Sequence, residues 1–218
     1  MIEKIGIVGV GFVGSAIHAS LRQHHLSPYL YDKYKGVGAL PGCLEQDVLF
    51  LALPTLFEAE LQDYDISALQ ETCSYLHDHG YKGLVVIKST VTPGTTNHIA
   101  LENPSLRLVH NPEFLSAATA VRDFHQQRHI ILGVHPRVDS VATESLRAWY
   151  RTYYPSATIS TCTCIESEMV KMGCNTFYSV KIQYFNELYA LCRAQDLDFN
   201  RVRDMMLRND WIHPMHTK

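Results

Sequence analysis

The 218-residue sequence contains no apolar run approaching the roughly 20 residues a membrane helix needs, so no spanning segment is expected. It has no cluster of lysine or arginine, and its net charge is only -3. Nothing therefore favours nucleic acid or an anionic membrane as a partner. No positively charged leader precedes the apolar residues that begin at Ile2, so no signal peptide is expected and the cytoplasm is the expected compartment. Cysteine occurs six times, at 43, 73, 162, 164, 174 and 192, but never as CxxC, a common metal and redox spacing. Reduced thiols are expected. Cys162 and Cys164 lack a second ligand pair, and in HPMH (213–216) a proline breaks the helix that would bring two imidazoles to one face. No metal site is expected. Repeats and low-complexity stretches are missing as well, which leaves an ordinary globular composition, 46% hydrophobic and 19% charged.

What the sequence does have is an alternation. Apolar, β-rich runs fall at 4–9, 29–32, 47–53, 83–87, 106–110 and His129–Val134, with a weaker one at 157–161. Several are continuous ("VLFLAL", "LVVI", "IILGV"), as parallel strands buried on both faces are. Helical patterns separate them. In "DISALQETCSYLHDHG", Ser67 three residues before Gln70 reads as a capping box, Leu69, Cys73 and Leu76 form one stripe, and Gly80 is a stop. "PRVDSVATESLRAWYRTYY" supplies another helix. The expected fold is α/β, a Rossmann-type doubly wound parallel sheet over residues 1–163.

The rhythm then changes. From Ile165 to about Ala194 there is neither proline nor a turn cluster, only Gly173 as a weak point, which predicts one helix of roughly 30 residues. A short helix near 199–207 follows, so 164–218 reads as a helical segment. Phe177, Tyr178, Val180, Tyr184, Phe185, Leu188 and Leu191 give the long helix more apolar surface than a small domain buries, and a helix apolar on several sides needs a partner.

The opening stretch "KIGIVGVGFVGSAIHASL" places Gly9, Gly11 and Gly14 between a buried strand and a helix. Gly9 permits the tight turn, Gly11 lets backbone approach a pyrophosphate, and Gly14 lets helix and strand pack closely. Amides at the helix start, around Phe12 and Val13, then face the phosphates. Asp32 closes the next strand, where a carboxylate accepts from ribose hydroxyls and repels a 2′-phosphate, so NAD is expected over NADP. Lys33 beside it softens that discrimination. The further motifs of an FAD site are not visible.

Three later stretches, "DVLFLALPT" (47–55), "GLVVIKSTVTPGTT" (83–96) and "LVHNPEFLSAATAVRDF" (108–124), resemble the nucleotide-sugar 6-dehydrogenases, the UDP-glucose and GDP-mannose dehydrogenases. "ESEMVKMGCNTFYSVKIQYFNEL" (166–188) is similar to the helix that follows in that family. The resemblance implies oxidation of a sugar C6 alcohol to a carboxylate in two NAD-dependent steps, a nucleotide-sugar substrate, and a homodimer through the long helix. Pro54 and Thr55, with Ser89 and Thr90, join the expected cofactor contacts at the carboxyl ends of strands, where ligands bind in open α/β sheets.

Four residues are the expected catalytic set. The family implies that the Thr90 hydroxyl helps hold a catalytic water, and that Glu113 is the acid/base of the hydrolytic step. A carboxylate tuned by burial can do that work near neutral pH; a helix N-terminal carboxylate is the alternative reading. Lys171 and Asn175 lie four apart, with Glu168 three before Lys171, all on one helix face. A lysine ammonium and an asparagine amide aimed at the C6 oxygen stabilise developing alkoxide. A polar stripe with an ion pair is the alternative.

The sequence also departs from the family. Ala117 stands where a second glutamate is usual, and "LPTL" replaces PTP. The second oxidation needs a cysteine thiolate, in a CFPKD segment beyond the long helix, and no such segment is present. The nucleotide-binding C-terminal domain is missing too. The expectation is an N-terminal portion that binds NAD without completing the four-electron reaction. The competing readings are a non-catalytic NAD-binding or dimerisation module and a two-electron enzyme of the β-hydroxyacid and 6-phosphogluconate group. The latter favours a GLGxMG turn where this chain has GVGFVG.

Overall fold

The computed structural model describes residues 2–60 and 62–217. In chain order the elements begin with β1 Ile5–Val8, α1 Phe12–Gln23, β2 Tyr29–Tyr31, a 3-10 turn at Leu40–Glu45, and β3 Val48–Leu51. Next come β4 Phe57–Glu58, β5 Asp63–Tyr64, α2 Ser67–Asp78, β6 Leu84–Ile87, α3 Thr95–Glu102 and β7 Arg107–His110. The rest are α4 Ala120–His125, β8 His129–Val134, α5 Ser140–Tyr153, β9 Thr158–Cys162, α6 Cys164–Ala194 and α7 Phe199–Leu207. The chain divides into two compact units, Met1–Lys171 and Met172–Lys218, so the boundary falls inside α6.

In the first unit seven strands form one sheet in the order β2-β1-β3-β6-β7-β8-β9. The chain leaves β1 towards one side, to β2, and returns to the other, to β3. That reversal is the switch point at which open α/β sheets bind ligands. Alternation along each strand divides the core. Ile5, Ile7, Val48, Phe50, Val86 and Val109 pack against Ile17 and Leu21 of α1 and Leu146, Trp149 and Tyr150 of α5. Val8, Leu49, Leu51, Val85, Ile87 and Leu108 pack against Leu69, Cys73 and Leu76 of α2 and Ile99 of α3. Both faces are covered, which is why the strands read as unbroken apolar runs.

The sheet differs from the expected all-parallel one at a single junction. β7 and β8 pair antiparallel, with Val109 opposite Val134 and His110 opposite Gly133, while β8 and β9 are parallel to each other. The connection between β7 and β8 holds only a six-residue helix. A short hairpin, Phe57 opposite Tyr64, was also not foreseen. Its residues are few, all but Tyr64 are exposed, and they carry no periodic signal.

The capping box expected at Ser67 is not the cap. Ser67 is the first helical residue of α2, and Asp65 Oδ1 accepts its amide at 2.8 Å. Gly80 ends the helix as expected, with φ +70°. Asp65→Ala is therefore expected to lower the melting temperature more than Ser67→Ala, measured by circular dichroism on the two variants.

In the second unit the helix runs through Gly173 without a break. Tyr189 meets Phe199 of α7 edge to face at 5.4 Å between ring centroids, and the Arg203 guanidinium lies 5.7 Å from the same Phe199 ring. Phe185 and Cys192 are buried, whereas Phe177, Val180, Tyr184 and Leu191 are exposed.

Candidate active site

The glycine turn follows β1 directly. Gly9 has φ +87°, and a Cβ there would lie 2.5 Å from the Ala52 carbonyl oxygen. A Cβ on Gly14 would lie 1.9 Å from the Gly9 carbonyl oxygen, so the first turn of α1 packs on the strand end as only glycine allows. At Gly11 the added atom meets nothing within 4 Å. It faces open space, and among the described residues no side chain caps α1. The amides of that first turn are thus presented to a cleft of about 410 Å³. A cradle of this shape, with free N–H groups and the positive end of a helix dipole, suits a pyrophosphate.

Asp32 does more than wait for a ribose. One carboxylate oxygen accepts the Val10 amide of the glycine turn at 2.8 Å. The other accepts the amides of Tyr34 and Lys35 at 3.1 and 3.0 Å. Partial burial works against its charge, but these hydrogen bonds outweigh burial and hold its pKa below the ordinary aspartate value. The oxygen that accepts the Val10 amide keeps a lone pair for a further donor. The same carboxylate therefore shapes the turn and remains able to bind a sugar hydroxyl.

The cleft runs from Asp32, Gly9, Gly11, Phe12 and Val13 past Pro54 and Thr55 to Ser89, Thr90 and Glu113. Tyr34, Lys35 and Lys88 also line it, and none of the three had been singled out from the sequence. Lys33 belongs to an adjoining pocket of about 70 Å³, where its ammonium pairs with Glu71 at 2.7 Å. Gly14 lies beneath the cleft rather than on it. The two strand-end loops are tied together: Ser89 Oγ donates to the Leu53 carbonyl at 2.7 Å and Thr55 Oγ1 to the Thr90 carbonyl at 2.6 Å.

Beyond Thr90 the loop after β7 brings in Glu113. Asn111 fixes that loop, its amide reaching the Ile87 carbonyl at 2.9 Å and its side-chain nitrogen the Ile131 carbonyl at 2.7 Å. Lys171, the last residue of the first unit, donates to Glu113 Oε1 at 2.9 Å and to the Glu113 carbonyl at 2.6 Å. The two side chains are 7% and 13% exposed, so this pair is largely shielded from water, where charge interactions are strongest. Asn175, four residues on, belongs to the second unit.

Glu168 does not pair with Lys171 along the helix. It is fully buried, and its two oxygens accept the amides of Gly94 and Thr96 at 2.6 and 2.8 Å. It thereby caps the N-terminus of α3 from outside, and leaves Lys171 free for Glu113. Beside it Ser167 Oγ meets His110 Nδ1 at 2.8 Å. Burial holds His110 neutral, with a pKa of about 3.

Lys88 is the other group the sequence reading passed over. Its side chain is 1% exposed, and Nζ donates to Asn111 Oδ1 at 2.8 Å and to the Pro112 carbonyl at 3.4 Å. Burial brings its pKa down to about 7; Glu113 opposes that fall and Lys171 adds to it. In the motif "VVIKST" it reads as the end of a strand. A charged residue closing a fully apolar run was the one available signal.

A switch-point cleft, an uncapped helix start and a strand-end aspartate define the class, a Rossmann-type dinucleotide-binding domain. Comparison with known proteins gives the family. The model for the UDP-glucose/GDP-mannose dehydrogenase family, NAD binding domain, matches residues 40–154, and the central-domain model of the same family matches 165–218. The chain belongs to the UDP-glucose/GDP-mannose dehydrogenase family. It is similar to UDP-glucose 6-dehydrogenase of Streptococcus pneumoniae, 24% identical over 93% of this chain and 60% of that protein. Among solved structures it is similar to a UDP-glucose dehydrogenase from Pyrobaculum islandicum (TM-score 0.85, 21% identity, all of this chain and 59% of that one). The GDP-mannose dehydrogenase of Pseudomonas aeruginosa, solved as a ternary complex, gives a TM-score of 0.81 at 21% identity, covering 99% of this chain and 58% of that one. The chain thus spans about three fifths of the length of these relatives.

Proposed function

We propose that the chain binds NAD in the switch-point cleft and carries the alcohol-oxidising chemistry of a nucleotide-sugar 6-dehydrogenase. NAD, when bound, supplies the hydride acceptor. The uncapped α1 amides, the open space at Gly11 and the Asp32 carboxylate are what fit it. The observation that carries the reading is the Lys171–Glu113 pair, 2.9 Å apart, in which Glu113 lines the cleft. Lys171 stabilises negative charge developing on the sugar C6 oxygen, and Glu113 takes and returns protons. Thr90 holds the water of the hydrolytic step.

The thiolate step is not assigned to the first unit's cysteines. Cys43, Cys73 and Cys164 are buried, with thiols pushed up to about 12 by burial, and burial with help from Glu166 raises the more accessible Cys162 as well. The substrate is proposed to be UDP-glucose or a similar nucleotide sugar. A homodimer through α6 is supported by the exposed row Phe177, Val180, Tyr184 and Leu191. A cytoplasmic location agrees with six free cysteines. Among the described residues no helix is long and apolar enough to cross a membrane.

Calorimetry with NAD, then absorbance of NADH on adding UDP-glucose or GDP-mannose, tests the proposal. Saturable NAD binding and sugar-dependent NADH are expected, the latter falling about 100-fold or more in Lys171→Met. No heat at millimolar NAD would end the reading. NAD binding with no turnover of either sugar would leave a binding module in its place. Light scattering on an eluting peak separates dimer from monomer.

A further inference from the structure

Lys88 is a buried cation held by neutral groups. Among the described residues its Nζ hydrogen-bonds only to Asn111 Oδ1 and the Pro112 carbonyl, and it stands 5.5 Å from the centre of the Phe124 ring. An ammonium there has exchanged its water for few and weak partners. Four titratable or charged groups face it. Glu113 follows β7 and favours the charge, but is already engaged by Lys171 of α6, which opposes it. His110 at the end of β7 is kept neutral by burial. Tyr150 of α5 shares the Asn111 Oδ1 acceptor, and its phenol stays protonated because burial raises its pKa well above the usual value. Burial decides the balance, and Lys88 changes charge close to neutral pH.

Its position gives that change a consequence. Lys88 lines the cleft beside Ser89, Thr90 and Glu113, at the end opposite Asp32. The oxidised and reduced forms of a nicotinamide cofactor share their adenosine and pyrophosphate and differ by one positive charge, on the nicotinamide ring. With the adenosine ribose at Asp32, the ring end of the cofactor belongs to Lys88's end of the cleft. We propose that Lys88 sets the cleft's preference between oxidised and reduced cofactor, admitting the cationic ring as a neutral amine and favouring the uncharged ring as an ammonium. This rests on the NAD-binding reading above. A unit charge about 10 Å away at an effective dielectric near 20 is worth roughly a tenfold change in relative affinity.

The test is a pair of titrations, NAD by calorimetry and NADH by fluorescence, from about pH 6 to about pH 8.5, around the expected protonation midpoint. They are run on the wild-type chain, Lys88→Met and Lys88→Arg, with the wild-type Lys88 side chain followed by NMR in lysine-labelled protein. The ratio of the NAD to the NADH dissociation constant is expected to fall about tenfold with rising pH in wild type. It should stay flat in Lys88→Met, and in Lys88→Arg it should remain at its acid value throughout. A lysine resonance titrating near neutrality should follow the same curve. A wild-type ratio that does not move with pH overturns the proposal, as does an unchanged slope in either variant. So does a Lys88 resonance that stays charged to pH 9 or above. Should a variant fail to fold, the wild-type ratio and resonance still decide. Failure of both cofactor forms to bind overturns the NAD reading with it, whereas binding with a pH-independent ratio overturns this proposal alone.

Discussion

Asp32→Ala is expected to weaken NAD binding about 100-fold, measured by calorimetry at neutral pH. Two losses add. The ribose loses a charged acceptor, worth about 1.5–3 kcal/mol for a hydrogen bond to an ionised group. The Val10 amide also loses its partner, so the glycine turn that presents the α1 amides is released from the β2 end. Asp32→Asn keeps one acceptor oxygen, and should fall between wild type and alanine. The pH dependence has a definite sign. Asp32 has a folded pKa below its ordinary value of 3.8, so its contribution to stability is fully present above that value and is lost as pH falls through the lower, folded one. Acid unfolding of Asp32→Ala should accordingly be shallower than that of wild type in this range. A variant that binds NAD as tightly as wild type would remove Asp32 from the site.

Glu168→Ala should destabilise the protein by about 3 kcal/mol, seen as a lower urea midpoint at unchanged slope. The substitution strands the Gly94 and Thr96 amides at a helix start from which the carboxylate has excluded water. Glu168→Gln retains one acceptor and should recover about half of the loss. The same change bears on Lys171, one turn further along α6. With Glu168 gone, the helix loses its tie to α3, and the Lys171–Glu113 contact should loosen. If Glu168→Ala unfolds at the wild-type urea concentration, the cap is not holding the helix.

Much of this was legible in the chain. Seven strands fell within one or two residues of their apolar runs, because burial on both faces leaves a continuous signal in each. The long helix was read from the lack of any breaker between Ile165 and Ala194, and Gly173 did not interrupt it. Strand direction was less visible. An apolar run looks the same in either sense, so the reversal at β8 leaves no mark on its own strand. The site divides the same way. Gly9, Gly11, Asp32, Thr90 and Glu113 stand in motifs whose spacing has local meaning, and they line one cleft. Glu168 and Lys88 act across distance in sequence, on Gly94 and Thr96 and on Asn111 and Pro112. Helical spacing suggested Lys171 as the partner of Glu168. No local pattern names a residue more than seventy positions away.

The bonds from Ser89 to Leu53 and from Thr55 to Thr90 join the loops after β6 and β3 before any ligand arrives. A cofactor entering between them meets walls whose conformational entropy was surrendered during folding, not at the moment of capture. Association should therefore proceed at the pace of two rigid bodies colliding, with affinity differences among analogues expressed in how fast they leave.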